Sequence, residues 1–178
     1  MELELRASKG LTVAAPGKLS GYAAVYNSES QDLGGFVEII RAGAFATSLS
    51  SGTNIRALWQ HDGKALLGTT KAGTLRLKDD AQGLAFELDL PDTTVGKDLS
   101  ILVDRGDVSG CSFGFRVRDG GDRWEQRGSN LVRELLNVEL VEITLTDDPA
   151  YMDTSVAKRS KPSVYESRGL RFLWLETI

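Results

Sequence analysis

The chain carries a single histidine, His61, and a single cysteine, Cys111. Any chemistry that needs an imidazole base near neutral pH must therefore use His61. A group for it to act on stands in Gly110-Cys-Ser-Phe-Gly-Phe-Arg-Val117. Read as a strand, with side chains alternating between faces, this segment puts Cys111, Phe113, Phe115 and Val117 on one apolar face. Ser112, Gly114 and Arg116 take the other. A hydroxyl, a missing side chain and a cation suit a surface that another backbone approaches closely, as a peptide substrate would. The plain alternative is an edge strand with an ordinary exposed serine. Cys111 falls among the phenylalanines, where a thiol acts as a small hydrophobe.

His61 ends Ile55-Arg-Ala-Leu-Trp-Gln60. Alternation puts it on the Ile55, Ala57, Trp59 face, at the mouth of a turn expected over His61-Asp62-Gly63. A capping or core-edge histidine is the plain alternative. The acid candidate is Glu142 in Val138-Glu-Leu-Val-Glu-Ile-Thr-Leu145. Strict alternation places it with Val138 and Leu140, flanked by Val141 and Ile143. A carboxylate among such neighbours needs a partner, and an imidazole would serve. Glu139 is nearer the strand start and more easily solvated. Asp147 and Asp148 precede Pro149, where short acids are common in turns.

Together these residues offer acyl transfer. A serine hydroxyl is a weak nucleophile until a base takes its proton, and the base needs a third group to fix its tautomer. The order His61, Ser112, acid differs from the chymotrypsin, subtilisin and α/β-hydrolase orders.

The elements that must position these groups read as β-rich with two helices. Strands are expected at Gly21–Tyr26, Phe36–Ile40, Ile55–Gln60, Thr74–Lys78, Leu84–Leu90, Cys111–Arg118, from Trp124, and over Asn137–Thr146. The pair around Gly83 reads as a hairpin. Ala42–Leu49 suits a short helix. Val95, Leu99, Leu102 and Val103 recur at helical spacing, with Asp92 as N-cap and Gly106 as stop. From about Thr154 the character changes, through basic Lys158-Arg-Ser-Lys-Pro162 to apolar Leu170-Arg-Phe-Leu-Trp-Leu175. The division expected is a domain over residues 1–153 and a tail or appended helix over 154–178.

Composition narrows the classes. The 178 residues are 41% hydrophobic and 26% charged, with a net charge of −4, ordinary for one soluble domain. No basic patch favours nucleic acid, and no apolar run approaches a membrane span. The acidic N-terminus lacks a signal peptide's apolar core, so an intracellular protein is expected. One cysteine allows no internal disulfide. One histidine with one cysteine is too few for a zinc site, so neither metal nor cofactor is expected.

Several segments, in order, resemble the prohead (capsid maturation) serine proteases of tailed phages and prophages. They are Gly21-Tyr-Ala-Ala-Val-Tyr-Asn27, Glu38-Ile-Ile-Arg-Ala-Gly-Ala-Phe45, Leu58-Trp-Gln-His-Asp62 with Leu67-Gly68, Ser109-Gly-Cys-Ser-Phe-Gly-Phe115, and Leu140-Val-Glu-Ile-Thr144 followed by Pro149-Ala-Tyr151. Shorter matches fall between them, and the resemblance spans Gly21 to Tyr151. It implies an α+β fold, a β-barrel surrounded by a few helices, similar to the herpesvirus assemblin proteases. Those pair serine with two histidines, so here an acid must replace the second. The resemblance implies Ser112 as nucleophile, His61 as base and Glu142 as orienter. It also implies cleavage of the scaffolding segment of the major capsid protein, and of the enzyme itself, inside the assembling prohead in the bacterial host cytoplasm. Nucleic acid and membrane are not expected partners; a homo-oligomer is a further expectation.

Two rival classes remain. An inactive family member could act as a scaffold or assembly factor, but the co-occurrence of His61, Ser112 and Glu142 argues against it. A plain β-barrel binding module would leave the Ser112, Gly114, Arg116 face unexplained.

Overall fold

The computed structural model describes residues 2–9 and 11–147. The expected tail over 154–178 lies outside these residues. In chain order the strands are β1 (Glu4–Lys9), β2 (Leu11–Ala15), β3 (Lys18–Val25) and β4 (Val37–Ile40), then helix α1 (Ala46–Ser50). There follow β5 (Arg56–Trp59), β6 (Asp62–Thr69), β7 (Leu75–Asp79) and β8 (Gly83–Asp89), then helix α2 (Thr94–Arg105). The last strands are β9 (Gly110–Val117), β10 (Asp122–Arg127), β11 (Asn130–Leu135) and β12 (Val138–Thr146).

These strands form three sheets, ordered β1-β9-β12-β5-β6, β10-β11-β4 and β2-β3-β8-β7. The main core lies between the five- and four-stranded sheets. Cys111, Phe113, Phe115, Ile143 and Leu145 from one meet Leu19, Leu84, Phe86 and Leu88 from the other. Phe45, ahead of α1, packs edge-on against Phe113, with ring centroids 5.5 Å apart. The small sheet closes over a second core of Leu33, Phe36 and Leu131.

The α+β class is observed, but the expected assemblin-like closed barrel is not. The five-stranded sheet ends at β1 and β6 and the four-stranded sheet at β2 and β7, and among the described residues no ladder joins these edges. The apolar faces are covered by stacking one sheet on another, which buries a core without hydrogen-bonded closure. Helix α2 follows its periodicity, with Leu99 buried and Val95, Leu102 and Val103 packed on the core. Its N-cap is Thr93 rather than Asp92: the Thr93 hydroxyl accepts from the Gly96 N–H at 3.3 Å. Gly106 ends the helix in the left-handed region, at φ 82°.

The sheet topology matters for Ser112. Strand β9 is not an edge, since it is flanked by β1 and β12. Ser112 lies opposite Ala7 on one side and Thr144 on the other. The position that a peptide backbone would need beside β9 is already taken by the chain's own β1.

Candidate active site

His61 is positioned by a tight and strained connection. Strands β5 and β6 are joined by Gln60 and His61 alone, with Trp59 paired to Asp62. Both linking residues have positive φ, 54° and 55°, the pattern of a type I′ hairpin turn that Asn-Gly ordinarily supplies. Side chains larger than these favour other backbone regions, so the surroundings must hold the turn in place. They do so through Gln60. Its backbone N–H donates to the Leu145 carbonyl at 3.1 Å. Its amide donates to Asp147 at 2.6 Å and accepts from the Thr146 hydroxyl at 3.0 Å. The turn is thereby stitched to the end of β12. It also reverses the expected facing. Ala57 points into the core, whereas the imidazole reaches Ser112 and Glu142 on the opposite face.

Glu142 is aimed by a bulge. Leu140 pairs with Phe115 but Glu142 pairs with Gly114, so Val141 is an extra residue on β12. An extra residue shifts the alternation by one. Val138 and Leu140 face the core before the bulge, and Ile143 and Leu145 face it afterwards. Glu142 therefore leaves the face expected from strict alternation and joins Ser112. Gly114 makes this possible. A Cβ there would lie 3.0 Å from Glu142 Cγ and 3.2 Å from Leu5 Cδ2. The missing side chain of Gly114 leaves room for the carboxylate rather than for an incoming backbone.

The three groups meet in one line. His61 Nε2 is 3.0 Å from Ser112 Oγ, and Nδ1 is 2.9 Å from Glu142 Oε1. An ionised carboxylate only accepts, so Nδ1 carries the ring hydrogen and donates it to Glu142. That leaves Nε2 to accept from the serine hydroxyl. The second Glu142 oxygen accepts from Arg56 Nη2 at 3.0 Å, so the buried carboxylate has both a neutral and a cationic partner. Ser112 is only 5% exposed, while the His61 side chain is 28% exposed, so the line opens to solvent at the imidazole.

The model of the caudovirus prohead serine protease family matches residues 1–167. The chain belongs to that family. No curated protein and no solved structure matches the chain.

The remaining candidates of this prohead serine protease family member are placed elsewhere. Cys111 is buried beneath the site, and burial pushes its thiol up to about 12. It has neither the access nor the thiolate that a nucleophile needs. Glu139 pairs with Arg116 at 3.5 Å, and Asp147 serves Gln60. Asp148 lies outside the described residues. Arg116 stands four residues along β9 from Ser112, about 13 Å at strand rise, and its pairing with Glu139 holds it away from the serine. Arg56 and Gln60 were missed by sequence reasoning. A cation and an amide within the otherwise apolar Ile55–Gln60 run were the available signal. Among the described residues no group of three or more His, Cys, Asp or Glu side chains could hold a metal ion, and no helix is long and apolar enough to cross a membrane.

Proposed function

We propose that this chain is a serine endopeptidase of prohead maturation in which Ser112 is the nucleophile, His61 the general base and Glu142 its orienter. The observation that carries the reading is the continuous Ser112–His61–Glu142 line at 3.0 and 2.9 Å, in a chain of the prohead serine protease family. In acylation, Ser112 Oγ attacks the scissile carbonyl carbon as its proton passes to His61 Nε2. Glu142 accepts from Nδ1–H throughout and stabilises the imidazolium. The imidazolium then protonates the leaving amine. In deacylation His61 takes a proton from water, which attacks the ester, and returns a proton to Ser112 Oγ.

The substrate proposed is the scaffolding segment of the major capsid protein, with the protease itself as a second target. Residues 1–153 act as the protease domain. The 154–178 segment combines a basic stretch with an apolar one; it packs on the protease domain as an appended helix, guides the enzyme into the prohead, or is removed by self-cleavage. The site of action is the assembling capsid in the bacterial host. Co-expression with the cognate major capsid protein, followed by mass spectrometry of the products, tests the substrate. Truncated capsid protein with the wild type, and intact capsid protein with Ser112→Ala, is the expected pair of results. Intact capsid protein in both would remove this substrate. A scaffold or assembly role in place of catalysis would leave capsid assembly unchanged by Ser112→Ala.

A further inference from the structure

Ser112 and Gly114 on β9, with Thr144 and Glu142 opposite them on β12, form a quartet on one face of the five-stranded sheet. The imidazole bridges one diagonal of that quartet, from Ser112 to Glu142. Thr144 and Gly114 occupy the other two corners. Gly114 is accounted for by the space it leaves for Glu142. Thr144 is not. It is 0% exposed, and its hydroxyl is buried with no hydrogen-bond partner.

An orphaned buried hydroxyl is destabilising, and an apolar group of the same shape would remove that cost. Valine is that group, and the neighbours of Thr144 along β12, Ile143 and Leu145, are aliphatic. Thr144 pairs directly with Ser112 across the ladder, the relation in which cross-strand Thr and Ser side chains can hydrogen-bond. Every other polar side chain on the quartet already has a partner: Ser112 has His61, and Glu142 has His61 and Arg56.

We propose that Thr144 is an additional catalytic residue, whose hydroxyl donates a hydrogen bond to Ser112 Oγ as that oxygen loses its proton. In the resting site Ser112 Oγ is neutral and its hydrogen is directed at His61 Nε2. When the proton passes to Nε2 and Oγ bonds the acyl carbon, negative charge develops transiently on Oγ. A donor facing it gains strength at that moment and not before, so it stabilises the transition state more than the ground state. Thr144 keeps its own proton throughout. The same contact assists when Oγ departs as the leaving group in deacylation. This inference rests on the reading of Ser112 as nucleophile.

The test is labelling of the full chain by a fluorophosphonate, with the adduct located by mass spectrometry and the rate followed against probe concentration. Three variants are compared: Thr144→Val, which keeps the shape, Thr144→Ala, which only truncates, and Thr144→Ser, which keeps the hydroxyl. Thr144→Val and Thr144→Ala are expected to lower the maximal labelling rate at Ser112 about tenfold or more, with half-saturation unchanged. Thr144→Ser is expected to stay within about threefold of the wild type. The melting temperature of Thr144→Val is expected at or above the wild-type value, which a merely structural hydroxyl bond would not give. Wild-type rates in Thr144→Val and Thr144→Ala, or an equal loss in Thr144→Ser, would overturn the role of Thr144 while leaving Ser112 as nucleophile. A wild type that takes no label at Ser112 would overturn the nucleophile and this inference together.

Discussion

Strand β9 has a polar cluster above each of its faces, and the two differ in kind. On the core side Arg6 lies over the Phe115 ring, 5.3 Å from its centroid. It donates to Glu38 at 2.7 Å and to Glu4 at 2.8 Å. Arg133 binds the same two carboxylates at 2.6 to 3.1 Å and reaches Asp122 at 2.8 Å. Burial alone would raise the Glu4 carboxyl; Arg133 and Arg6 overcome it and hold it low. None of the polar atoms of these four buried side chains lacks a partner. On the other side stand Ser112, His61 and Glu142, beside an orphaned Thr144 hydroxyl and a turn with two non-glycine residues at positive φ. The first cluster is saturated and ties β1 to the small sheet. The second is partly unsaturated and strained, and it opens to solvent. A cluster built to hold a fold can satisfy every group at once, whereas one built for reaction must keep capacity for a state not yet formed.

Variants on each side can break or sharpen this contrast. Ser112→Ala should lower capsid-protein cleavage by on the order of 10⁴ to 10⁶ with an unchanged melting temperature, while Cys111→Ala keeps most activity. Both are read by cleavage assay beside thermal melting. Glu142→Gln should cost up to about 10⁴ in turnover and remain folded by circular dichroism. Arg133→Met belongs to the other cluster. It leaves Glu4 and Glu38 to share Arg6, and should cost roughly 3–5 kcal/mol of stability in urea unfolding. Its activity per folded molecule should stay near wild type. An Arg133→Met protein of full stability but reduced turnover would erase the distinction between the clusters.

Gln60→Ala should have a smaller effect, since it frees the turn from Thr146 and Asp147 without touching the imidazole. A loss of about tenfold in turnover is expected from the looser His61, with little change in melting temperature. Glu134 gives the mildest test. It is fully buried and accepts from Arg41, Arg127 and Arg123. The hydrogen bond from Arg41, then those from Arg127 and Arg123, outweigh burial and lower its carboxyl from the ordinary 4.5 to about 2. A depressed folded value means that its stabilisation is present at neutral pH and is lost as pH falls from about 4.5 to about 2. Melting temperatures across that window should fall more steeply for the wild type than for Glu134→Gln. Parallel curves would show that Glu134 does not contribute in this way.

Alternation along Gly110–Val117 was enough to separate Ser112 from Cys111 in the sequence, and helical spacing was enough for α2. Both depend on local periodicity, which the fold preserves. Strands β1, β2, β6 and β11 were not legible, and β1 mattered most because it turns β9 from an edge into an interior strand. The facing of His61 and Glu142 was read wrongly for one common reason. Each lies just beyond a break in regular strand geometry, a positive-φ turn in one case and the Val141 bulge in the other. Such breaks depend on cross-strand register, which period-two reading assumes to be unbroken. Arg56, Gln60 and Thr144 escaped notice because their relevance comes from the register of β12 with β5 and β9, not from neighbours in sequence. The tail over 154–178 lies outside the described residues, and its truncation before Lys158 remains the direct test of its role.

The most direct measurement is peptide mapping of the native chain after treatment with a fluorophosphonate. A single adduct on Ser112 is expected, abolished by prior denaturation and strongly slowed in His61→Ala. Absence of an adduct on the native protein, or an adduct on another residue with Ser112 unmodified, would contradict the assignment of Ser112, His61 and Glu142 as the catalytic line.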